Sequence, residues 1–264
     1  MCENDPWARV HQKQSTHDLS EWQRRIETVQ AILDQSIGSQ VHDHLTNYIR
    51  TAEAWRVFAT SLSRLLTKVE EDEEMGEEVA NAFRSGDPRT PIVSALDTSL
   101  VAYSAGVGAV VDQTRRIMDK WGDDALKQEL QAKVRNMLDT TPGAEFVVKL
   151  RTYVLHYLAA PWRCNFRLNK QGSERSLALQ IQLDCAALLK MGRWPGEAKR
   201  FIEEQGQAIH LLPVINNFSK AEWGITVWVH EVICDYRQPE IQKANDLIRE
   251  LNMLLGSGPA HEAK

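Results

Sequence analysis

Through most of this chain apolar residues recur at every third or fourth position, the spacing of a helix that buries one face. Leu19, Trp22, Ile26, Val29 and Leu33 step this way after a capping Asp18, and predict a helix over 19–36 that Gly38 ends. Residues 1–17 read as loose and polar. Val41, Leu45, Tyr48, Ala52, Trp55, Leu62, Leu66 and Val69 carry the next stripe, and the short connection predicts an antiparallel helical hairpin. Thr90 and Pro91 then open a third helix as cap and first residue, with Ile92, Leu96, Leu100, Tyr103, Val107 and Val111 on its stripe. Its small residues between Ala102 and Ala109 let another helix approach closely. Gly122 breaks it after Trp121, and Asp123 starts a further helix to about Leu138. Later helices are expected over 183–192, 195–205, 208–236 (with Pro213 as a kink or break) and 240–255.

The period changes once. Cys164 to Leu168 alternates, Asn169 to Gly172 reads as a turn, and Leu177 to Leu183 alternates again, so a β-hairpin is expected near 163–183. A lone hairpin is marginal in water and must lean on the helices. The fold class is therefore all-α: a helical bundle with one small β-hairpin inserted after the helix that precedes Pro161. The linker-like run Ser85 to Pro91 suggests an N-terminal helical hairpin sub-bundle, 1–85, and a helical domain, 86–264, which are two domains or one continuous one.

Composition narrows the function. A net charge of -5 argues against a generally basic surface for nucleic acid, yet leaves room for a local basic groove. Cys2, Cys164, Cys185 and Cys234 are scattered with no CxxC pair, as expected of free thiols in a reducing compartment. The first residues lack the charged-then-apolar shape of a signal sequence. The strongest candidate for a membrane span, Ile92 to Val111, contains Asp97 and many Ser, Thr and Gly residues and reads as a packed soluble helix. A cytoplasmic protein without membrane contact is the expectation. The acidic run Glu70 to Glu78 reads as a solvated face. No P-loop, GxSxG or GxGxxG is present. His230-Glu231-Val232-Ile233-Cys234 allows two ligands on one helix face but brings no third, and His42 and His44 do not share a face. Neither a metal nor a cofactor is expected.

One stretch carries candidate chemistry. Between Thr141 as cap, Pro142 as first residue and Pro161 as stop, a helix is expected with apolar residues on two sides. Phe146, Leu150, Val154 and Tyr157 form one face; Val148, Thr152, Leu155 and Ala159 form a thinner stripe opposite. Such a helix is expected to be buried on both sides. Arg151 and His156 lie about 140° apart and flank the second stripe. If that stripe packs on another surface, the two line the resulting groove.

Arg151, four residues and His156 on a buried helix resemble the signature of the HEPN superfamily (higher eukaryotes and prokaryotes nucleotide-binding). The resemblance implies an all-α protein that forms a homodimer in which the motif helices meet, and a metal-independent endoribonuclease leaving a 2′,3′-cyclic phosphate. Carried over to this chain, Arg151 binds the phosphate and His156 is the catalytic imidazole. RNA, a second copy of the chain, and an antitoxin or other protein partner are the implied partners, in toxin–antitoxin or antiviral defence systems. The family often has Asn, Asp or His directly after the arginine; this chain has Thr152. Beside the resemblance, Lys149 shares a helix edge with His156, and Arg163 and Arg167, with Lys170 and Arg175, follow closely in sequence. They are candidate RNA-binding groups, weighed against the simpler reading of solvated strand faces. The second functional reading is a non-catalytic helical interaction protein, with the acidic segment or the N-terminal hairpin as its partner surface.

Overall fold

The computed structural model describes residues 6–85, 90–156, 159–171, 174–190 and 193–257. Helices α1 (Pro6–Gln35), α2 (Ile37–Glu71), α3 (Glu73–Ser85), α4 (Pro91–Trp121), α5 (Asp124–Thr140) and α6 (Ala144–His156) come first. Strands β1 (Trp162–Gln171) and β2 (Glu174–Asp184) follow, then α7 (Cys185–Leu189), α8 (Gly196–Glu204), β3 (Ala208–His210), α9 (Leu211–Tyr236) and α10 (Gln238–Gly256). The protein is thus an all-α bundle with a small β insertion after α6. The insertion is a three-stranded antiparallel sheet in the order β1-β2-β3, not a lone hairpin. Trp162 pairs with Leu183 at one end of the hairpin and Gln171 with Glu174 at the other. The third strand, read from the sequence as the start of a helix, pairs Gln182, Leu183 and Asp184 with His210, Ile209 and Ala208.

The contacts divide the chain into two compact units, Met1–Thr46 with Val232–Lys264, and Asn47–Glu231. In the first, α1 packs on α10. A single residue, Ser36, separates α1 from α2. The Trp22 indole donates to the Leu254 carbonyl at 2.8 Å, and Arg25 pairs with Glu250 at 3.1 Å. Helix α1 also begins earlier than its apolar stripe, at Pro6.

In the second unit α4 is the central helix. Leu96, Leu100, Tyr103, Val107 and Val110 are buried along it. Its length and composition alone would let it cross a membrane, a test that core helices of soluble proteins also pass. Trp55 of α2 lies against Gly106, where a Cβ would come within 2.7 Å of its ring, and it packs edge-on against Phe218 of α9 at 6.4 Å. The Tyr48 hydroxyl meets the Thr114 hydroxyl at 2.8 Å, and that of Tyr103 meets Ser219 at 3.2 Å. Asp123 caps α5 by accepting from the Leu126 amide at 2.9 Å.

The sheet leans on the helices through three polar anchors. The Trp162 indole donates to Asp97 of α4 at 2.8 Å. Beyond the end of short β3, the Ile181 amide of β2 donates to the Glu70 carboxylate at 3.2 Å, and the same carboxylate meets His210 of β3 at 2.9 Å. Glu70, the first member of the acidic run, is therefore largely covered rather than solvated, with 14% of its side chain exposed. Losing a partner for a covered charged group costs roughly 1–3 kcal/mol. Replacing Glu70 by Ala is expected to lower stability by that order and to speed hydrogen exchange at the Ile181 amide. Unchanged exchange there would show that the carboxylate does not hold the sheet.

Candidate functional site

Helix α6 starts two residues later than its sequence implied. Thr141 and Pro142 belong to a turn, and Gly143 has a φ of +78°, a left-handed conformation in which a side chain would also run into Phe201. From Ala144 onward one side of the helix is sealed: Ala144, Phe146, Val147, Leu150 and Tyr153 are buried. Phe146 stacks on Trp194 at 5.4 Å and leans on Phe201 at 5.6 Å, and Tyr153 stacks on Trp194 at 5.9 Å. The opposite stripe is not sealed. Val148 is half-buried and Thr152 is exposed. The helix is therefore buried on one side, not two, over its described side chains.

Arg151 stands on the edge of that open stripe. Its guanidinium lies over Gly108 of α4, where a Cβ would collide with it. Its ion pair is with Asp112, at 3.7 Å, and the two side chains are 42% and 48% exposed. A pair this long and this solvated is worth about 0–1 kcal/mol, so the guanidinium can be drawn to a phosphate at little cost. Lys149 is exposed and has no ion pair among the described residues. Arg163 is placed differently. It pairs with Asp184 at 3.6 Å and donates to Gln207 at 3.1 Å, which ties it to the base of the sheet. His156 is the last residue of α6, about 7–8 Å along the axis from Arg151. Its side chain lies outside the described residues, as do those of Arg167, Lys170 and Arg175 on the strands.

Beside α6 the second unit encloses a cleft of about 880 Å³, lined from α4, α5, α6, α8 and α9. Lys149 and Val148 reach it, as do Arg115, Arg135 and Glu145. So does Glu222 of α9, only 3% exposed and without a hydrogen bond among the described residues. Burial pushes its carboxyl up to about 7. The same burial raises Tyr48 to about 12, and Tyr103 rises as well. Nothing in the sequence reading pointed to Glu222. The available signal was an acidic residue one helical turn from Phe218 and from Ile225, on the face those apolar residues bury.

The three described cysteines are free thiols. Burial raises Cys164 to about 12 and also raises Cys185 and Cys234. Among the described residues no group of three His, Cys, Asp or Glu side chains is placed to hold a metal ion. Comparison with protein-family models, with curated proteins and with solved structures finds no match to this chain.

The buried carboxyl makes stability depend on pH with a definite sign. An acid whose pKa rises from 4.5 to about 7 on folding holds its proton in the native state after the unfolded chain has lost it. Its contribution is therefore most favourable below about pH 4.5 and declines as pH rises to about 7, by up to about 3 kcal/mol. Glu222→Gln is expected to remove that decline. Denaturant unfolding of both proteins at pH 5 and pH 8 measures it, and an equal change in the two proteins would rule out the assignment.

Proposed function

We propose that this protein is a metal-independent endoribonuclease of HEPN type, working as a homodimer whose α6 helices face one another across the RNA. The observation that carries this reading is the setting of Arg151. It is a half-exposed guanidinium held by one long ion pair, on the edge of an open stripe, along a helix whose other face is sealed. A second α6 packed on that stripe would turn its two edges into the walls of a groove.

The chemistry asks for little more. Cleavage requires the ribose 2′-oxygen to attack the neighbouring phosphorus, its proton to leave, and the 5′-oxygen to depart with a proton. Histidine exchanges protons near neutral pH, and His156 is assigned that task. Negative charge grows on the non-bridging oxygens as the phosphorus becomes five-coordinate. Arg151 offers them a planar pair of donors once Asp112 is exchanged for phosphate. Lys149, exposed and without an ion pair among the described residues, can draw the strand along the groove. Arg163 and Arg167 extend the proposed track along β1, with Arg163 first having to leave Asp184. Thr152, exposed between the two candidate groups, supplies a neutral hydroxyl where the family often has an amide, an acid or an imidazole. In a cytoplasmic setting such an activity fits toxin–antitoxin or antiviral roles, with an inhibiting protein partner.

The test is RNA cleavage in EDTA by the wild type, Arg151→Ala and His156→Ala. Wild type is expected to cut and leave 2′,3′-cyclic phosphate ends. His156→Ala should lose about 10²–10⁴-fold in rate, the usual worth of a general acid or base. Arg151→Ala should lose activity with its fold intact. Gly108→Ala, which displaces the guanidinium from its seat, should weaken cleavage in the same direction. A well-folded dimer that cleaves none of several RNAs would turn the reading to a non-catalytic helical interaction protein.

A further inference from the structure

The cleft beside α6 holds a feature that RNA cleavage does not use. Glu222 projects from α9 into a space of about 880 Å³ while only 3% of its surface is exposed. Neither an ion pair nor a hydrogen bond reaches its carboxyl from the described residues. A second carboxylate oxygen in the same cleft, Glu145 Oε2 on α6, is buried with no hydrogen-bond partner. Buried polar groups nearly always have partners; Glu145 Oε2 has none, and the carboxyl of Glu222 opens only into the same cleft, so both point to a donor held within it. The lining mixes charged and polar side chains with apolar surface, the latter from Val111 and Met118 of α4, Leu130 and Met137 of α5, and Ile225 of α9.

We infer that this cleft binds a small organic cation, a molecule with an apolar body and an ammonium or amidinium group that pairs with Glu222. A positive N–H donor answers both needs of the buried carboxyl, charge and hydrogen bonds, and recovers what burial of a lone carboxylate costs. The apolar walls take the rest of the molecule, as they do in most small-molecule sites. A bare metal ion is the poorer occupant, because no third acidic or imidazole ligand joins the two carboxyls among the described residues. The basic side chains around the cleft do not fill the role themselves. Arg115, Arg135 and Lys149 are exposed, Lys127 pairs with Asp124, and Arg200 is engaged with Glu197. They set the polarity of the rim while the carboxyl sets that of the floor.

The experiment uses benzylammonium as the probe, with benzyl alcohol and benzoate as matched neutral and anionic controls, on the full chain at pH 8 by calorimetric titration. Benzylammonium is expected to bind saturably, and at least tenfold more tightly than either control. Glu222→Gln should lower that affinity at least tenfold, to the level of the alcohol. Val148→Trp fills the cleft from the half-buried edge of α6 without touching Glu222, and should also abolish binding; it decides the matter if Glu222→Gln does not fold, which circular dichroism will show. Absence of benzylammonium binding to the wild type, equal or tighter binding of benzoate, or full affinity in Val148→Trp would each overturn the inference. None of these readouts involves RNA, so the result stands apart from the nuclease assay.

Discussion

Two side chains rest on the bare backbone of α4, and they rest on opposite sides of it. Trp55 lies on Gly106 and Arg151 lies on Gly108, two residues or about 200° further round the helix. Each contact needs a position without a Cβ. The first draws α2 onto α4 and brings Trp55 among Tyr103 and Phe218. The second draws α6 onto the other side and fixes where the arginine head lies. The central helix therefore does two jobs with one short run of small residues: it centres the core, and it sets the depth at which the candidate phosphate-binding group sits. Tyr48 and Thr114 close the polar gap between α2 and α4, so that the large buried hydroxyl costs little where it stands.

The cations near α6 differ in how strongly the chain already engages them, and that difference orders their candidacy. Arg163 has both a carboxylate and an amide oxygen as partners and stands at the foot of the sheet. Arg151 has one distant carboxylate. Lys149 has no ion pair among the described residues. An incoming phosphate must displace whatever is already bound, so the groups with the weakest internal ties take it up most readily. The internal acid Asp112 has a second effect. It lies beside the guanidinium where that group rests over Gly108, so an approaching anion competes with one weak, solvated partner.

Much of the architecture was legible along the chain, for reasons that can be named. Pro91 at the start of α4, the small residues before Ala109, and the cap at Asp123 are local signals, and each marks an element that the structure contains; Thr90 stands at the cap position of α4, but its hydroxyl makes no cap hydrogen bond. What escaped was non-local. A three-residue strand is too short to show alternation, and β3 exists because β2 has an unpaired edge to offer it. The acidic run looked uniform, but Glu70 alone meets Ile181 and His210, which only the folded chain brings near. The second stripe of α6 reads as buried in sequence, since periodicity counts apolar residues and cannot say whether a partner covers them. Glu222 was invisible for the same reason. Its burial comes only with the folded chain, and a single carboxyl within an apolar helix has the same spelling whether it faces water or a cavity.

The pairing of α1 with α10 has a consequence for how this protein is made. Trp22 and Leu254 are joined by a hydrogen bond across 232 positions of sequence. On a ribosome adding about 5–20 residues per second, the end of α1 and the start of α10 emerge roughly 10–40 s apart. Throughout that interval the apolar stripe of α1, with Val29 and Leu33 on it, lacks the helix that covers it in the finished fold. The growing chain thus carries α1 with its apolar stripe uncovered until α10 has been made. That is the state holdase chaperones recognise, and a premature stop before α10 would make it permanent.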